Sequence, residues 1–196
     1  MIGLAAFLRG LAEPDSLPER TALLTFDDGY RSIRHVVLPW LRRFDFPAVL
    51  FVPTDFIGGR NDFDASCEPE EAICDWDDLR ELERCDISVQ PHGASHRAFS
   101  QLDPAEQETE LLRSRSVLEA ELGKPVAVFS FPYGDGGADP RATGRMLRRA
   151  GYRAACLYGG GPNHLPVADP YRLTRLAMGP DTDLRAALAP ESVSAQ

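Results

Sequence analysis

Thr21-Ala22-Leu23-Leu24-Thr25-Phe26-Asp27-Asp28-Gly29 is a short, β-favouring and mostly apolar run that stops at two neighbouring carboxylates and a glycine. It reads as a buried strand ending in a polar turn. Ser32 then reads as an N-cap for a helix carrying Ile33, Val36, Val37, Trp40 and Leu41 at helical spacing, kinked or restarted at Pro39. A second apolar strand spans 47–53. The polar stretch 54–74 is too long for an ordinary connection, and a loop of that length is expected to be functional or mobile. Asp75 can cap a helix with Trp76, Leu79 and Leu82 on one side. The alternation continues with a strand at 87–89, a helix over 104–122 closed by Gly123, and a strand at 126–131. A basic helix at 140–150, strands at 152–157 and 172–178, and a helix at 182–188 complete it. Alternating helices and near-continuous apolar strands predict an α/β fold with a parallel sheet or barrel covered by helices.

Composition agrees. The 196 residues fit one domain over 1–196, and 43% hydrophobic with 26% charged residues excludes disordered and fibrous classes. With 21 basic against 30 acidic residues the net charge is −9, which argues against a nucleic-acid partner. Four cysteines, Cys67, Cys74, Cys85 and Cys156, without any CxxC, read as free thiols rather than a disulfide framework or a zinc finger. Met1 to Leu8 is apolar but lacks a charged leader region, and no stretch approaches the ~18 apolar residues a membrane span needs. The chain as given therefore reads as soluble and cytoplasmic, unless a leader precedes Met1.

Polar residues gather just past strand ends, where open α/β sheets and barrels build their sites. Asp27 and Asp28 would repel each other at a buried strand end unless a cation or a shared proton relieved them. His92 and His96, in Gln90-Pro91-His92-Gly93-Ala94-Ser95-His96, have the spacing that places two imidazoles on one face of a helical turn. Two nitrogens and one carboxylate make a three-ligand metal site with open positions for water. A third cluster, Phe131-Pro132-Tyr133-Gly134-Asp135-Gly136-Gly137, is a turn whose backbone amides and tyrosine face the same rim. His35, mid-helix, reads as a surface or packing residue, and Arg145, Arg148, Arg149 and Arg153 as a solvated basic face.

In order and spacing, Thr25-Phe26-Asp27-Asp28-Gly29, His92-x-x-x-His96 and Phe131-Pro132-Tyr133-Gly134 resemble the polysaccharide deacetylase family, also called the NodB-homology or carbohydrate esterase family 4. The resemblance covers about residues 21–176. It implies a distorted (β/α) barrel of about seven parallel strands and one divalent ion, zinc foremost with cobalt, nickel, iron or manganese as alternatives, held by Asp28, His92 and His96. Asp27 would be the general base and the Tyr133 N–H an oxyanion donor. The implied reaction removes acetyl groups, foremost N-acetyl, from an amino-sugar polysaccharide or oligosaccharide. Two departures stand out. Many members carry an arginine that orients the base where this chain has Ser130, and the general acid usually lies in a late Leu-x-His motif. Here the late histidine is His164, set as Asn163-His164-Leu165, and it, a water or another residue must supply the proton. Hydrolysis of a small cyclic imide or ureide, or a catalytically inactive binding module, are the competing readings. The oligomeric state is left open.

Overall fold

The computed structural model describes residues 1–188, so the last eight residues of the expected 1–196 domain lie outside it. Among the described residues six strands form: β1 (Leu24–Phe26), β2 (Ala48–Val52), β3 (Ile87–Pro91), β4 (Val128–Ser130), β5 (Ala154–Gly160) and β6 (Leu173–Arg175). All neighbours pair in parallel, as two three-stranded sheets ordered β1-β2-β3 and β4-β5-β6. Parallel pairing places every strand's C-terminal end on one rim, and the three motif clusters therefore share that rim.

The continuous apolar reading of β2 has a two-sided cause, because successive side chains of a strand point to opposite faces. Ala48, Leu50 and Val52 pack outward against Ile33, Leu38 and Leu41 of the first helical segment. Val49 and Phe51 point inward and share a second cluster with Val128, Ala154, Cys156 and Leu173 of the other sheet. The two sheets thus enclose a small common interior. Against the same cluster lies an N-terminal helix, α1 (Leu4–Ala12), through Leu4, Phe7, Leu8 and Leu11. Among the described residues no helix is long and apolar enough to cross a membrane.

The helices follow local signals. Pro39 cannot donate to the carbonyl four residues back, and the chain answers with a π-turn at Ile33–Val37 before α2 (Leu38–Phe44). Asp75 caps α3 (Trp76–Glu83) and Asp103 caps α4 (Pro104–Leu122), each in a reciprocal capping box, and Gly123 ends α4 in the left-handed conformation. The helices α5 (Pro140–Arg149) and α6 (Leu184–Ala187) complete the series.

The expected barrel of about seven strands is not closed: among the described residues there are six strands, and no backbone ladder joins β3 to β4 or β6 to β1. Between β3 and β4, side chains occupy the edge groups a ladder would use. Gln90 Oε1 accepts from the Ala127 and Val128 N–H groups at 2.8 and 3.0 Å, and Glu119 accepts from Val126 at 3.0 Å. On the β3 side, Glu83 accepts from the Val89 N–H at 2.5 Å and Lys124 donates to the Val89 carbonyl at 3.1 Å. Residues 126 and 127 are thereby withdrawn from the expected strand. At the other seam, Arg175 donates to Thr25 Oγ1 at 3.3 Å. Replacing Gln90 by methionine keeps the volume and removes the shared acceptor. Two backbone donors would then lose their partner, and a loss of about 2–4 kcal/mol is expected in urea unfolding. A loss below about 0.5 kcal/mol would show that apolar packing alone holds the seam.

Candidate metal centre

Asp27 and Asp28 leave β1 in different directions because Asp28 takes a left-handed conformation, φ +70°, followed by Gly29 at φ +73°. Glycine is required at 29 for a second reason, since a Cβ there would lie 2.9 Å from Val52 Cγ1. The reversal resolves the repulsion expected of adjacent carboxylates by giving each its own partners.

Asp28 meets the histidines. Its Oδ1 lies 3.4 Å from His92 Nε2 and 3.1 Å from His96 Nε2. His92, 2% exposed, has its Nδ1 at 2.8 Å from the Ser130 carbonyl, so Nδ1 carries the proton and Nε2 is left for the cluster. His96 is 4% exposed, and neither of its ring nitrogens has a hydrogen-bond partner among the described residues, the 3.1 Å approach to Asp28 lacking hydrogen-bond alignment. Buried polar atoms are rarely left unsatisfied, and a cation held together with Asp28 would satisfy the His96 nitrogen that faces it, while the other ring nitrogen has no partner among the described residues. Burial pushes the Asp28 carboxyl up, but the two imidazoles outweigh it and hold the group well below the ordinary carboxylate range. Burial works against a charged His92, yet Asp27, Asp28 and the Ser130 carbonyl together raise its pKa.

The His-x-x-x-His spacing is not delivered by a helical turn. Residues 92–96 form a loop in which Gly93 has φ +75° and His96 φ +56°. Glu110 of α4 holds that loop in place, accepting from the Ala94 N–H at 2.6 Å, the Ser95 N–H at 2.9 Å and the Ser95 hydroxyl at 2.6 Å. Asp28, His92 and His96 bring their ligand atoms within 4.8 Å of one another and are the only such group among the described residues. Two imidazoles and one carboxylate fit an open three-ligand zinc-type site. The cysteines form no cluster: all four are free, with Cys67 exposed and Cys74 and Cys156 buried.

Asp27 takes another partner. Arg175, the last residue of β6, grips it with two parallel bonds of 2.7 Å, and also donates to the Leu157 carbonyl at 2.8 Å and to Ser130 Oγ at 3.1 Å. Burial disfavours the guanidinium charge, and Asp27 more than offsets it, so the Arg175 pKa is raised. The sequence reading missed Arg175 altogether. In the strand expected over 172–178 it falls in the middle, whereas β6 ends at it. Asp27 Oδ2 lies 4.0 Å from His92 Nε2, which places this carboxylate beside the three-residue group.

Tyr133 stands on the same rim at φ +57°, its ring centroid 4.8 Å from that of His96. Its turn spends the Gly134 and Asp135 N–H groups on the carbonyls of Phe131 and Pro132. The long segment 54–74 folds into two short turns tied by Asn61, whose amide donates to the Pro69 carbonyl at 2.9 Å and accepts from the Glu71 N–H at 2.7 Å. It lays Phe63 on His96 at 4.1 Å between ring centroids, so the loop walls the centre. His164 is not brought into the cluster. It is exposed between β5 and β6, on a segment tied to β6 because Asn163 donates to the Thr174 carbonyl at 2.7 Å. His35 and Arg145, Arg148, Arg149 and Arg153 are exposed, as expected of surface groups.

Comparison with known proteins places this geometry among relatives. YxkH of Bacillus subtilis, a polysaccharide deacetylase by name, is 25% identical over 116 residues, which span 59% of this chain but 38% of that protein. Of solved structures, the Streptococcus pyogenes deacetylase PplD, in complex with acetate, superposes with a TM-score of 0.82 at 20% identity, covering 96% of this chain and 79% of that one. IcaB from Ammonifex degensii gives 0.78 at 24% identity over 92% and 77%. A family 4 carbohydrate esterase from Streptomyces lividans gives 0.54 at 18% identity over 72% and 64%. These likenesses establish the α/β fold. The model of the family described as polysaccharide deacetylase matches residues 15–155, well over half of the chain, and the chain belongs to that family.

Proposed function

We propose that this chain hydrolyses the acetyl amide of an N-acetylated amino sugar in a polysaccharide or oligosaccharide, using one divalent ion, zinc foremost, held by Asp28, His92 and His96. The observation that carries the reading is His96, buried with both ring nitrogens unpartnered and one of them 3.1 Å from Asp28 Oδ1. A purely structural role would leave such a group costly and unexplained. The chemistry that a divalent ion supplies when bound is Lewis acidity, which lowers the pKa of a water and polarises an acetyl carbonyl.

The chain's own residues supply the rest. Asp27 is placed to take the proton of the attacking water. Each of its oxygens accepts one bond from Arg175, and a carboxylate oxygen has a second lone pair to offer. Arg175 orients this base and fixes its plane, because a bidentate guanidinium grip allows the carboxylate little rotation. Tyr133 offers its N–H to the oxygen that becomes negative when water adds to the carbonyl. The nitrogen must gain a proton as its bond to carbon breaks, since an amide anion is too basic to leave. Asp27, having taken the water's proton, is beside the reacting group and can return it, which leaves acetate and a free amine. Phe63 and Tyr133 flank His96 and limit the access of bulk water to the centre.

Four outcomes test the reading. After loading with zinc and desalting, the parent should retain about one ion per chain, and a His92→Ala/His96→Ala variant should retain none; no retained ion in the parent would remove the proposed centre. Asp27→Asn should keep the ion and release acetate from an N-acetylated oligosaccharide roughly 10²–10⁴-fold more slowly. Arg175→Lys preserves charge but loses the fork, so a fall in kcat with unchanged metal content is expected, and unchanged kcat would make the pair structural. His164→Ala decides the proton donor, with activity retained if Asp27 returns the proton and abolished if His164 supplies it.

A further inference from the structure

The two histidines that face Asp28 are not held alike. His92 is fixed twice: its Nδ1 lies 2.8 Å from the Ser130 carbonyl, and its backbone N–H donates to the Val52 carbonyl at 2.9 Å. A bond at the far ring nitrogen is the usual device that sets the tautomer and plane of a metal-ligating imidazole. His96 lacks it, since neither ring nitrogen has a hydrogen-bond partner among the described residues. Its orientation must come from the backbone that carries it and from packing against Phe63 and Tyr133.

That backbone is clamped from two sides. The Gly93 and Ala94 carbonyls accept from the N–H groups of Thr54 and Asp55 at 3.2 and 3.0 Å, which ties the loop to the segment after β2. Glu110 of α4 takes the other side. Its Oε2 accepts from the Ala94 N–H at 2.6 Å and the Ser95 N–H at 2.9 Å, and its Oε1 from the Ser95 hydroxyl at 2.6 Å. Successive N–H groups turned toward one point form a concavity suited to an anion, and here the anion comes from inside the fold. Glu110 is 6% exposed, and its carboxylate has no Lys or Arg partner among the described residues. Burying such a group is costly, and the three loop donors are what offset it. Gly93 completes the fit, because a Cβ there would lie 3.0 Å from Glu110 Oε2, on a backbone already at φ +75°.

We infer that Glu110 is the positioning residue of His96. Through the two peptide units just ahead of that histidine it supplies the orientation that no ring hydrogen bond provides, and so sets the affinity of the centre for its ion without touching it. This rests on reading Asp28, His92 and His96 as metal ligands. The competing role is that of a loop anchor that matters to folding alone, with Phe63 and Tyr133 orienting the ring.

Zinc dissociation constants decide between the two, measured on the full chain by competition with a chromophoric chelator, well below the unfolding midpoint of each variant. Glu110→Leu keeps the approximate volume and removes all three bonds, so zinc should bind roughly 10–100-fold more weakly. Glu110→Gln keeps an oxygen that accepts from the two N–H groups, and its affinity should fall between the two. The cobalt-loaded Glu110→Gln protein should show visible absorption bands displaced from those of the parent, a change that lost stability alone does not produce. Gln107→Met controls for stability, because Gln107 lies on the same helix and donates to the Phe99 and Leu102 carbonyls at 2.7 and 3.3 Å, beyond the loop. Its unfolding midpoint should fall while its zinc affinity stays that of the parent. If Glu110→Leu does not fold, Glu110→Gln decides alone. Parent-like zinc affinity in Glu110→Gln, or an equal loss in Gln107→Met, would overturn the inference and leave the metal centre standing. A parent that binds no zinc would overturn both.

Discussion

Two carboxylates side by side at the end of a buried strand cannot share one environment. The separation of Asp27 from Asp28 is the constraint around which this rim is arranged. Asp28 turns through a left-handed backbone toward two imidazoles, and Asp27 continues toward a guanidinium on the far sheet. Each choice demands something of the fold. Histidines must arrive from the end of β3, two strands from β1, and an arginine must arrive from β6 across a seam that has no backbone ladder. If the two acids faced one partner set, repulsion would raise the pKa of one and favour its neutral form.

Strain is concentrated in the same places. Asp28, His96 and Tyr133 all have φ between +56° and +70°, a region that costs a non-glycine residue up to ~1–3 kcal/mol when the surroundings enforce it. The surroundings here are identifiable. Glu110 ties the His96 loop through three hydrogen bonds, and Gly134 lets the Tyr133 turn lie against β5, where a Cβ would fall 2.5 Å from the Tyr158 backbone nitrogen. A rigid outer ring thus holds an inner ring in conformations it would not choose alone, which is the condition for ligands organised in advance.

Much of this was legible in the residues. Strand–helix alternation, the caps at Asp75 and Asp103, and the clustering of Asp27, Asp28, His92, His96 and Tyr133 at strand ends follow from local patterns, and the structure brings those five together. Interactions distant in sequence were not legible. Arg175 is 148 residues from Asp27, and nothing local distinguishes it from other arginines. Gln90 reads as one polar residue in a strand, yet it closes a seam 37 residues away, and that substitution of side chain for ladder is why the strand count and closure came out differently. The helix α1 had the spacing Leu4, Phe7, Leu8 and Leu11, but a terminal apolar stretch raises the question of a leader before that of a core. The loop 92–96 kept the spacing of a helical turn without its conformation, since only the positions of two nitrogens matter to an ion.

Where the arginine comes from decides what the orientation of Asp27 depends on. An arginine at 130 would lie on β4, and its hold on Asp27 would be set by the rim of that strand alone. Arg175 instead reaches across the β6–β1 seam, and its guanidinium also contacts Thr25 of β1, Ser130 of β4 and the carbonyl of Leu157 on β5. One side chain therefore joins strands of both sheets while fixing the plane of the Asp27 carboxylate. Relaxing the seam by a fraction of an ångström would disturb a bidentate geometry that tolerates little error, even where the hydrophobic interior stays intact. Orientation of Asp27 and closure of the rim are in this chain the same interaction, and Ser130, whose hydroxyl lies 3.1 Å from the guanidinium, is one of the groups that receive it.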